Sequence, residues 1–332
     1  MALAADAALL VVGVVALWVG ARLLVGSSVR LARRVGVSDL LIGVTVVAVG
    51  TSSPEIVVTV RAALGGAGAL AVGNVVGSNL YNLAVVLGAV AIAGSFPVDR
   101  SLVRRDGAAL VAATVACALA LVDLRVTPGE GAGLLALLVA YTVVAVRAGR
   151  VDAADATATD GDGVARPARE RVDLSTPARR LATGPARELA LVLAGLAVVL
   201  LGGDLLVGSA IRLARAAGVS EWVIGGTVVA AGTSTPEFAV SLVAVRRGSL
   251  GVSVGNVVGS SVVNVLGVLG LASLLTPLSV GPEALWSVAW LVGLTVVVVA
   301  ALWSGRRLTR AEGVLLALSE AVRWALSLLR VF

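Results

Sequence analysis

Two glutamates carry the residue pattern in this chain most able to do chemistry. Glu55 and Glu237 each close a Gly-Thr-Ser-Xaa-Pro-Glu sequence, and each lies near the middle of a long apolar stretch. A carboxylate inside an apolar helix is costly unless it finds a partner, so such a residue indicates a functional site. Two carboxylates at matched positions are difficult to explain as packing alone, and we take this pair as the centre of the candidate site.

The sequence around the glutamates occurs twice. Residues 43–88 align with residues 225–270 at a constant offset of 182 without a gap, and 24 of the 46 paired positions are identical. Because polar atoms are expensive within apolar helices, duplicated polar positions indicate function. Those we single out are Thr51, Ser52, Glu55, Ser78 and Asn82 in the first copy, and Thr233, Ser234, Glu237, Ser260 and Asn264 in the second.

Each copy offers oxygen ligands of the kind that hard cations prefer. Pro54 lacks a backbone donor, so it should free the carbonyl of Gly50 and loosen the helix there; Pro236 should act alike in the second copy. Freed carbonyls inside a membrane must line a cavity or bind something. Carbonyls, hydroxyls and a carboxylate within one turn suit Ca²⁺, which takes about six to eight oxygen ligands. By contrast, the Gly-x-x-x-Gly spacing before Ser78 indicates only close helix packing.

The composition is that of a polytopic, all-α membrane protein. The 332 residues are 58% hydrophobic and 14% charged, with a mean hydropathy of +1.02, whereas soluble domains are about 25% charged. The absence of histidine removes the commonest proton shuttle and metal ligand. A single cysteine, Cys117, excludes an internal disulfide. We expect no cofactor, no enzymatic activity and no nucleic acid; the lipid bilayer is the expected surroundings, and no protein partner is implied.

Ten apolar segments are long enough to cross a bilayer, which needs about 20 residues per helix. They form two halves, residues 1–147 and 187–332, joined by the polar segment 148–186, whose composition predicts a flexible linker. The predicted spans are residues 7–28, 38–62, 69–93, 106–124, 130–147, 187–211, 221–245, 251–275, 284–303 and 311–329.

The arginines predict the orientation of these spans. The loops after spans one, three, five, seven and nine hold 19 arginines, and the opposite side holds 6. The positive-inside rule therefore predicts extracellular termini and a cytoplasmic linker in a multi-pass cell-membrane protein. Because each half has an odd number of spans, the halves should be inverted relative to each other, an arrangement that places a substrate site near mid-membrane. The arginines of the minority side are Arg61, Arg125, Arg212, Arg215, Arg323 and Arg330.

The two copies resemble the paired alpha-repeats of the cation/Ca²⁺ exchanger superfamily, most closely those of its Na⁺/Ca²⁺ exchangers. The resemblance implies a ten-helix bundle in which Ca²⁺ binds Glu55 and Glu237 with two backbone carbonyls, and in which spans one and six slide to alternate access. It implies that Na⁺ uses the same glutamates with four serines and two further carbonyls. The implied carbonyls are those of Thr51 and Thr233 for Ca²⁺ and of Ala48 and Ala230 for Na⁺, and the serines are Ser52, Ser78, Ser234 and Ser260.

Several alternatives remain open at this stage. Some relatives, including K⁺-dependent ones, carry aspartate where this chain has Asn264; with Asn82 also neutral, the pattern argues against a potassium site. Two protons could replace one Ca²⁺ on the glutamates, so an H⁺/Ca²⁺ antiporter is the second interpretation, although four serines are ligands that Na⁺ needs and protons do not. A cation channel fits inverted repeats less well than alternating access does. With the three Na⁺ usual in the family, exchange would be electrogenic.

Overall fold

The computed structural model describes residues 2–34, 50, 52–94, 96–97, 100–158, 185–246, 250–304 and 307–329. Most of these residues are helical. The α-helices, numbered in chain order, are α1 (Ala2–Arg34), α2 (Ser53–Leu64), α3 (Gly68–Tyr81), α4 (Leu87–Ala93), α5 (Arg100–Ala120), α6 (Pro128–Ala158), α7 (Pro185–Ala217), α8 (Glu221–Ile224), α9 (Ala230–Thr233), α10 (Thr235–Arg246), α11 (Leu250–Val263), α12 (Gly270–Leu275), α13 (Glu283–Ser304) and α14 (Arg310–Leu328).

Three π-helical turns join neighbouring α-helices into longer rods. They are π1 (Asn82–Val86) between α3 and α4, π2 (Gly225–Val229) between α8 and α9, and π3 (Asn264–Leu269) between α11 and α12. The first and third occupy matching positions at the 182-residue offset. In each of the rods Gly68–Ala93 and Ser253–Leu275, 78% of an apolar 18-residue stretch is buried, the highest share among the candidate spans, so the duplicated sequence lies at the centre of the molecule.

Six helices of the described residues are long and apolar enough to cross a membrane. The other predicted spans depart from that pattern for local reasons. Span two lies partly outside the described residues, and span seven is divided at Ser234. The helices of spans four and ten carry charged residues, which lower their hydropathy. The six candidates are Leu3–Ser28, Gly68–Ala93, Pro128–Ala145, Ala186–Ala217, Ser253–Leu275 and Glu283–Trp303.

The two longest helices, α1 and α7, pack along each other through glycines. A Cβ on Gly13 would lie 2.8 Å from the Leu206 nitrogen, and one on Gly202 would lie 2.9 Å from the Leu17 nitrogen. Gly20 and Gly195 make the equivalent contacts further along the pair. Small residues at these positions let the two backbones approach closely, as in other membrane helix pairs.

Ion pairs close both ends of this helix pair. Arg30 of α1 donates to Glu188 of α7 at 2.9 Å, and Arg212 of α7 donates to Asp6 of α1 at 2.6 Å. Arg30 and Arg212 are related by the offset of 182, as are Asp6 and Glu188. The two helices therefore hold each other reciprocally, each through its own arginine.

Two short antiparallel strand pairs connect the halves. Phe96–Pro97 pairs with Arg307–Leu308, and Arg125–Val126 pairs with Leu278–Ser279. Each strand pair supplies hydrogen bonds to backbone groups in loops that follow a helix end. The hydrogen bonds of the helix itself are no longer available there. Each also joins a loop of the first half to one of the second half.

Two features differ from the expectations from sequence. Helix α6 continues to Ala158, so the first 11 residues of the predicted linker 148–186 extend a spanning helix; residues 159–184 lie outside the described residues. Arg323, which the charge count placed on the minority side of the membrane, is 2% exposed within α14. Removing Arg323 from the six arginines of the minority side leaves five, so the direction of the bias is unchanged.

Candidate functional site

The helices that carry the two glutamates are interrupted at matching residues. Ser52 has φ −83° and ψ 8°, and Ser234 has φ −82° and ψ 7°, both outside the helical region. In each copy the proline and the glutamate follow within the first turn of the next helix. Proline is well tolerated in a first helical turn, which explains why the helix restarts there. Each glutamate is therefore presented at the start of a helix in the protein interior.

The carbonyl that Pro54 was expected to free is engaged locally. The Ser53 hydroxyl donates to the Gly50 carbonyl at 2.7 Å, replacing the missing backbone donor. In the second copy the Thr235 hydroxyl donates instead to the Ala231 carbonyl at 3.0 Å. The Gly50 carbonyl therefore accepts a side-chain hydroxyl in place of the backbone donor that Pro54 lacks, because the residue before the proline has a hydroxyl of its own.

The two carboxylates are fully buried, and a serine links their motifs. Glu55 and Glu237 are both 0% exposed. The Ser234 hydroxyl donates to Glu55 Oε1 at 3.0 Å, which brings a side chain of the second copy onto the carboxylate of the first. Among the residues that the structure describes, Glu55 Oε2 and both carboxylate oxygens of Glu237 have no hydrogen-bond partner.

The Thr233 hydroxyl lies between the two copies. It is 3.4 Å from the Ser78 hydroxyl and 3.3 Å from Asn74 Oδ1, both on α3, and it donates to the Ala230 carbonyl at 3.2 Å. The Ala230 carbonyl also accepts the Ser234 backbone N–H at 3.0 Å. The Ala230 carbonyl, implied as a sodium ligand, thus already accepts two hydrogen bonds in this conformation.

Matched hydrogen bonds hold the neighbouring helices of each copy together. Asn74 Nδ2 donates to the Thr59 hydroxyl at 3.0 Å, joining α3 to α2. Asn256 Nδ2 donates to the Ser241 hydroxyl at 3.2 Å, joining α11 to α10. Sequence reasoning missed Thr59 and Ser241 as supports. The available signal was a hydroxyl residue at both positions of the repeat alignment.

The central asparagines each open a widened helical turn. Asn82 is the first residue of π1, and Asn264 is the first residue of π3. Such turns occur frequently at functional sites. Both side chains are buried, and their amide atoms have no hydrogen-bond partner in the part of the chain that the structure describes. Buried amides without partners are uncommon, so these four atoms are free to bind a ligand.

The described candidates form one buried set. Ten of the twelve site residues predicted from sequence are buried, whereas Ala48 and Thr51 lie outside the described residues. Ser52 Oγ has no hydrogen-bond partner among the described residues, and Ser260 is 6% exposed. The ten are Ser52, Glu55, Ser78, Asn82, Ala230, Thr233, Ser234, Glu237, Ser260 and Asn264.

The chemistry of this set is that of a hard-cation site. It supplies two carboxylates together with hydroxyl, amide and carbonyl oxygens, which Ca²⁺ accepts in irregular arrangements. Within the described ranges no group of three or more histidine, cysteine, aspartate or glutamate residues could hold a metal. A cation here would therefore take its remaining ligands from neutral oxygens. The buried negative charge of two carboxylates also requires a compensating cation or protons.

Comparisons with known proteins agree with this chemistry. A family described as "Sodium/calcium exchanger protein" matches residues 6–147 and 188–320. The putative antiporter CaxA of Alkalimonas amylolytica is 34% identical over 264 residues, covering 80% of this chain and 78% of its own. The sodium/calcium exchanger MaX1 of Methanosarcina acetivorans is 27% identical over 332 residues, covering 93% and 94%. The solved sodium-calcium exchanger NCX_Mj superposes with a TM-score of 0.63 and 29% identity, covering 97% and 99%.

Proposed function

The chain belongs to the sodium/calcium exchanger family, and from that membership we propose that it exchanges Ca²⁺ for Na⁺ across a membrane by alternating access. The observation that carries the proposal is a buried contact between the two copies of the glutamate motif. Ser234 donates to Glu55 across 179 residues, and Ser234 lies three residues before the second buried carboxylate, Glu237. Such a site suits a transported divalent cation better than it suits packing.

Ca²⁺ would bind between the two glutamates. A divalent cation neutralises two carboxylates; Glu55 and Glu237 lie in the first turns of α2 and α10, and Glu55 contacts the break residue Ser234 of the other copy. The carbonyls of Thr51 and Thr233 would complete this site. Both follow a glycine and directly precede the break residues Ser52 and Ser234.

Na⁺ is proposed as the coupling ion because the neutral ligands outnumber the carboxylates. Ser52, Ser78, Ser234 and Ser260 would serve Na⁺ together with the carbonyls of Ala48 and Ala230. The name of the relative MaX1 also favours Na⁺. An H⁺/Ca²⁺ antiporter is the second candidate, since two protons would equally neutralise the glutamates; the relative CaxA is named only as a putative antiporter.

We propose ten membrane spans in two halves of inverted topology, residues 1–147 and 187–332. Three features at the 182-residue offset support this: the helix breaks at Ser52 and Ser234, the π turns after α3 and α11, and the reciprocal ion pairs of α1 and α7. The arginine bias supports extracellular termini and a cytoplasmic segment 148–186. The pair α1 and α7 would slide past the remaining helices.

Reconstitution tests the proposal directly. Purified protein in liposomes should take up Ca²⁺ when the lumen holds Na⁺ and the outside does not, and it should not do so under an imposed K⁺ gradient. Uptake that follows a pH gradient in the absence of Na⁺ would replace the sodium mechanism by the proton one. Ca²⁺ flux that needs no counter-ion would indicate a channel.

A further inference from the structure

Helix α14 carries a buried ion pair that the cation site does not use. Arg323 and Glu320 are each 2% exposed; Arg323 Nε donates to Glu320 Oε2 at 2.9 Å, and Nη2 donates to Oε1 at 2.5 Å. The Trp324 indole also donates to Glu320, at 2.6 Å. Ionisable residues inside membrane spans are rare and expensive, so their presence calls for a role.

Arg323 connects this pair to the helix that leads into the cation site. Its Nη2 donates to the Gly226 carbonyl at 2.7 Å, across 97 residues. Gly226 belongs to the widened turn π2, which runs without a break into α9 and the Ser234 interruption. Gly77 of α3 packs on the same residue, because a Cβ on Gly77 would lie 2.6 Å from the Gly226 oxygen. Gly226 is therefore held between α3 and α14.

The width of π2 sets the direction of the residues that follow it. A turn with one residue more than an α-helical turn rotates everything after it by about 100° relative to a regular helix. Ala230 begins α9 directly after π2, and Ser234 is the break residue that follows α9, whereas Glu237 lies in α10, beyond the break. Changes in π2 would thus move Ala230 and Ser234 more directly than they move Glu237.

The first half of the chain has no equivalent ion pair. At the offset of 182, Leu138 corresponds to Glu320 and Tyr141 corresponds to Arg323. The Tyr141 hydroxyl lies 3.5 Å from Asp106 of α5. The packing of α6 and α14, the equivalent helices of the two halves, therefore does not itself require a buried arginine. The Glu320–Arg323 pair has a role that is particular to the second half.

We propose that Arg323 is a positioning residue for sodium binding: it holds π2 in its widened form and so keeps the Ala230 carbonyl and the Ser234 hydroxyl aimed at the site. This inference rests on the exchange function proposed above. Glu320, one turn before Arg323 on α14, accepts two hydrogen bonds from the guanidinium and so orients it. In this orientation Arg323 Nη2 reaches the Gly226 carbonyl. Glu237 is affected less, because the helix break separates it from π2. The Thr233 carbonyl proposed for Ca²⁺ lies between Ala230 and Ser234, so Ca²⁺ loses the alignment of one proposed ligand where Na⁺ loses that of two.

The test compares two variants of the full-length protein in liposomes. In Glu320→Gln/Arg323→Met both charges are removed together, since an uncharged pair is tolerated inside a protein far better than a single unpaired charge. We expect the half-saturating Na⁺ concentration for Ca²⁺ uptake to rise about tenfold, the effect of losing one hydrogen bond to a charged group. Half-saturating Ca²⁺ in sodium-free Ca²⁺/Ca²⁺ exchange should rise less, by about threefold at most, and the maximal rate should change less than about twofold.

The matched control is Trp324→Phe, which removes a hydrogen bond to Glu320 and leaves the contact between Arg323 and Gly226 in place. Its sodium dependence should equal that of the wild type. Arg323→Lys serves if the double variant does not insert. Lysine keeps the charge but lacks the planar guanidinium, so it cannot donate to Glu320 and to the Gly226 carbonyl together. The half-saturating Na⁺ concentration should therefore rise again.

An unchanged sodium dependence in either folded Arg323 variant overturns the inference, as does an equal loss of apparent affinity for both ions. A shift of the same size in Trp324→Phe also overturns it, because the effect would then come from the Glu320 cluster in general. Wild-type protein that moves no Ca²⁺ under a Na⁺ gradient overturns the proposed function and this inference together. Active wild type with unshifted variants overturns the inference alone.

Discussion

At the scale of single residues, the two glutamates occupy unequal surroundings although their sequences match. Ser234 donates to Glu55, but the corresponding Ser52 hydroxyl makes no hydrogen bond among the described residues, and neither Glu237 oxygen accepts one there. The carboxylate of Glu237 therefore depends more than that of Glu55 on a bound ion to compensate its burial. The near-symmetry of the sequence does not impose symmetric hydrogen bonding, because each contact depends on how the helices of the two halves pack around that carboxylate.

We predict that Glu55→Gln and Glu237→Gln each abolish Ca²⁺ transport, because a divalent cation needs both charges to be offset. The protein should remain folded, since glutamine keeps the oxygen that accepts from Ser234 and leaves no unpaired charge buried. Ca²⁺ uptake into liposomes and the thermal melting temperature measure the two effects. Asp123→Asn, in an exposed turn, is the control that should transport normally. Robust Ca²⁺ exchange by either glutamine variant would remove the assignment.

At the scale of helices, the pairing of α1 with α7 combines a tight apolar seam with polar ends. The glycine contacts allow backbone approach along the seam, and the pairs Arg30–Glu188 and Arg212–Asp6 fix the relative shift of the helices. One further ion pair, between Arg61 and Asp204, links α7 to α2. Helices joined at both ends in this way should move as one unit in the sliding proposed for α1 and α7.

We predict that Gly202→Ala lowers the stability of the protein by about 1–3 kcal/mol, because an added methyl group must displace the α1 backbone. The Cβ would lie 2.9 Å from the Leu17 nitrogen. The matched control is Gly133→Ala in α6, where no atom lies within 4 Å of the added Cβ. That variant should be unchanged or about 0.5–1 kcal/mol more stable, since alanine favours helix. Thermal unfolding in detergent measures both; equal melting temperatures would contradict the tight seam.

At the scale of the whole molecule, charge decides how transport responds to voltage. With Asn82 and Asn264 neutral, the central set contains two carboxylates, and one Ca²⁺ neutralises them. The three Na⁺ usual in the family would leave the loaded site at about +1, and a unit charge crossing the membrane feels about 2.3 kcal/mol per 100 mV. Two protons would instead leave the site neutral.

We therefore predict that Na⁺-driven exchange is electrogenic. An inside-positive potential, set in liposomes by a K⁺ gradient with valinomycin, should speed Ca²⁺ entry that is coupled to Na⁺ exit. The same K⁺ gradient without internal Na⁺ is the control and should drive no uptake. Exchange that is insensitive to voltage but follows a pH gradient would contradict the sodium mechanism and favour the proton one.

The orientation of the chain in the membrane is also a property of the whole molecule. We predict that a cysteine introduced at Ala158, at the end of α6, is labelled from the cytoplasmic side only, because the arginine bias predicts that segment 148–186 lies inside. The native Cys117 is fully buried and should stay unreactive in this assay. Labelling from outside intact cells by a membrane-impermeant maleimide would reverse the topology.

Much of this protein is readable from its sequence because the deciding signals are local or repeated. Apolar runs of about 20 residues identify membrane helices without any knowledge of their neighbours. The duplicated Gly-Thr-Ser-Xaa-Pro-Glu sequences mark Glu55 and Glu237, and the family to which the motif points is confirmed by the match over residues 6–147 and 188–320. Proline also predicts the helix interruptions, which the structure has at Ser52 and Ser234.

Tertiary structure alone decided which side chains meet. The contact of Ser234 with Glu55 depends on how helices from opposite halves are rotated, and no local pattern encodes that rotation. Likewise, the sequence shows Glu320 and Arg323 only as two charged residues that lower the mean hydropathy of the last span. An average over a helix does not reveal that two opposite charges one turn apart form an ion pair. Their burial, and the reach of Arg323 to Gly226, exist only once α14 packs against π2.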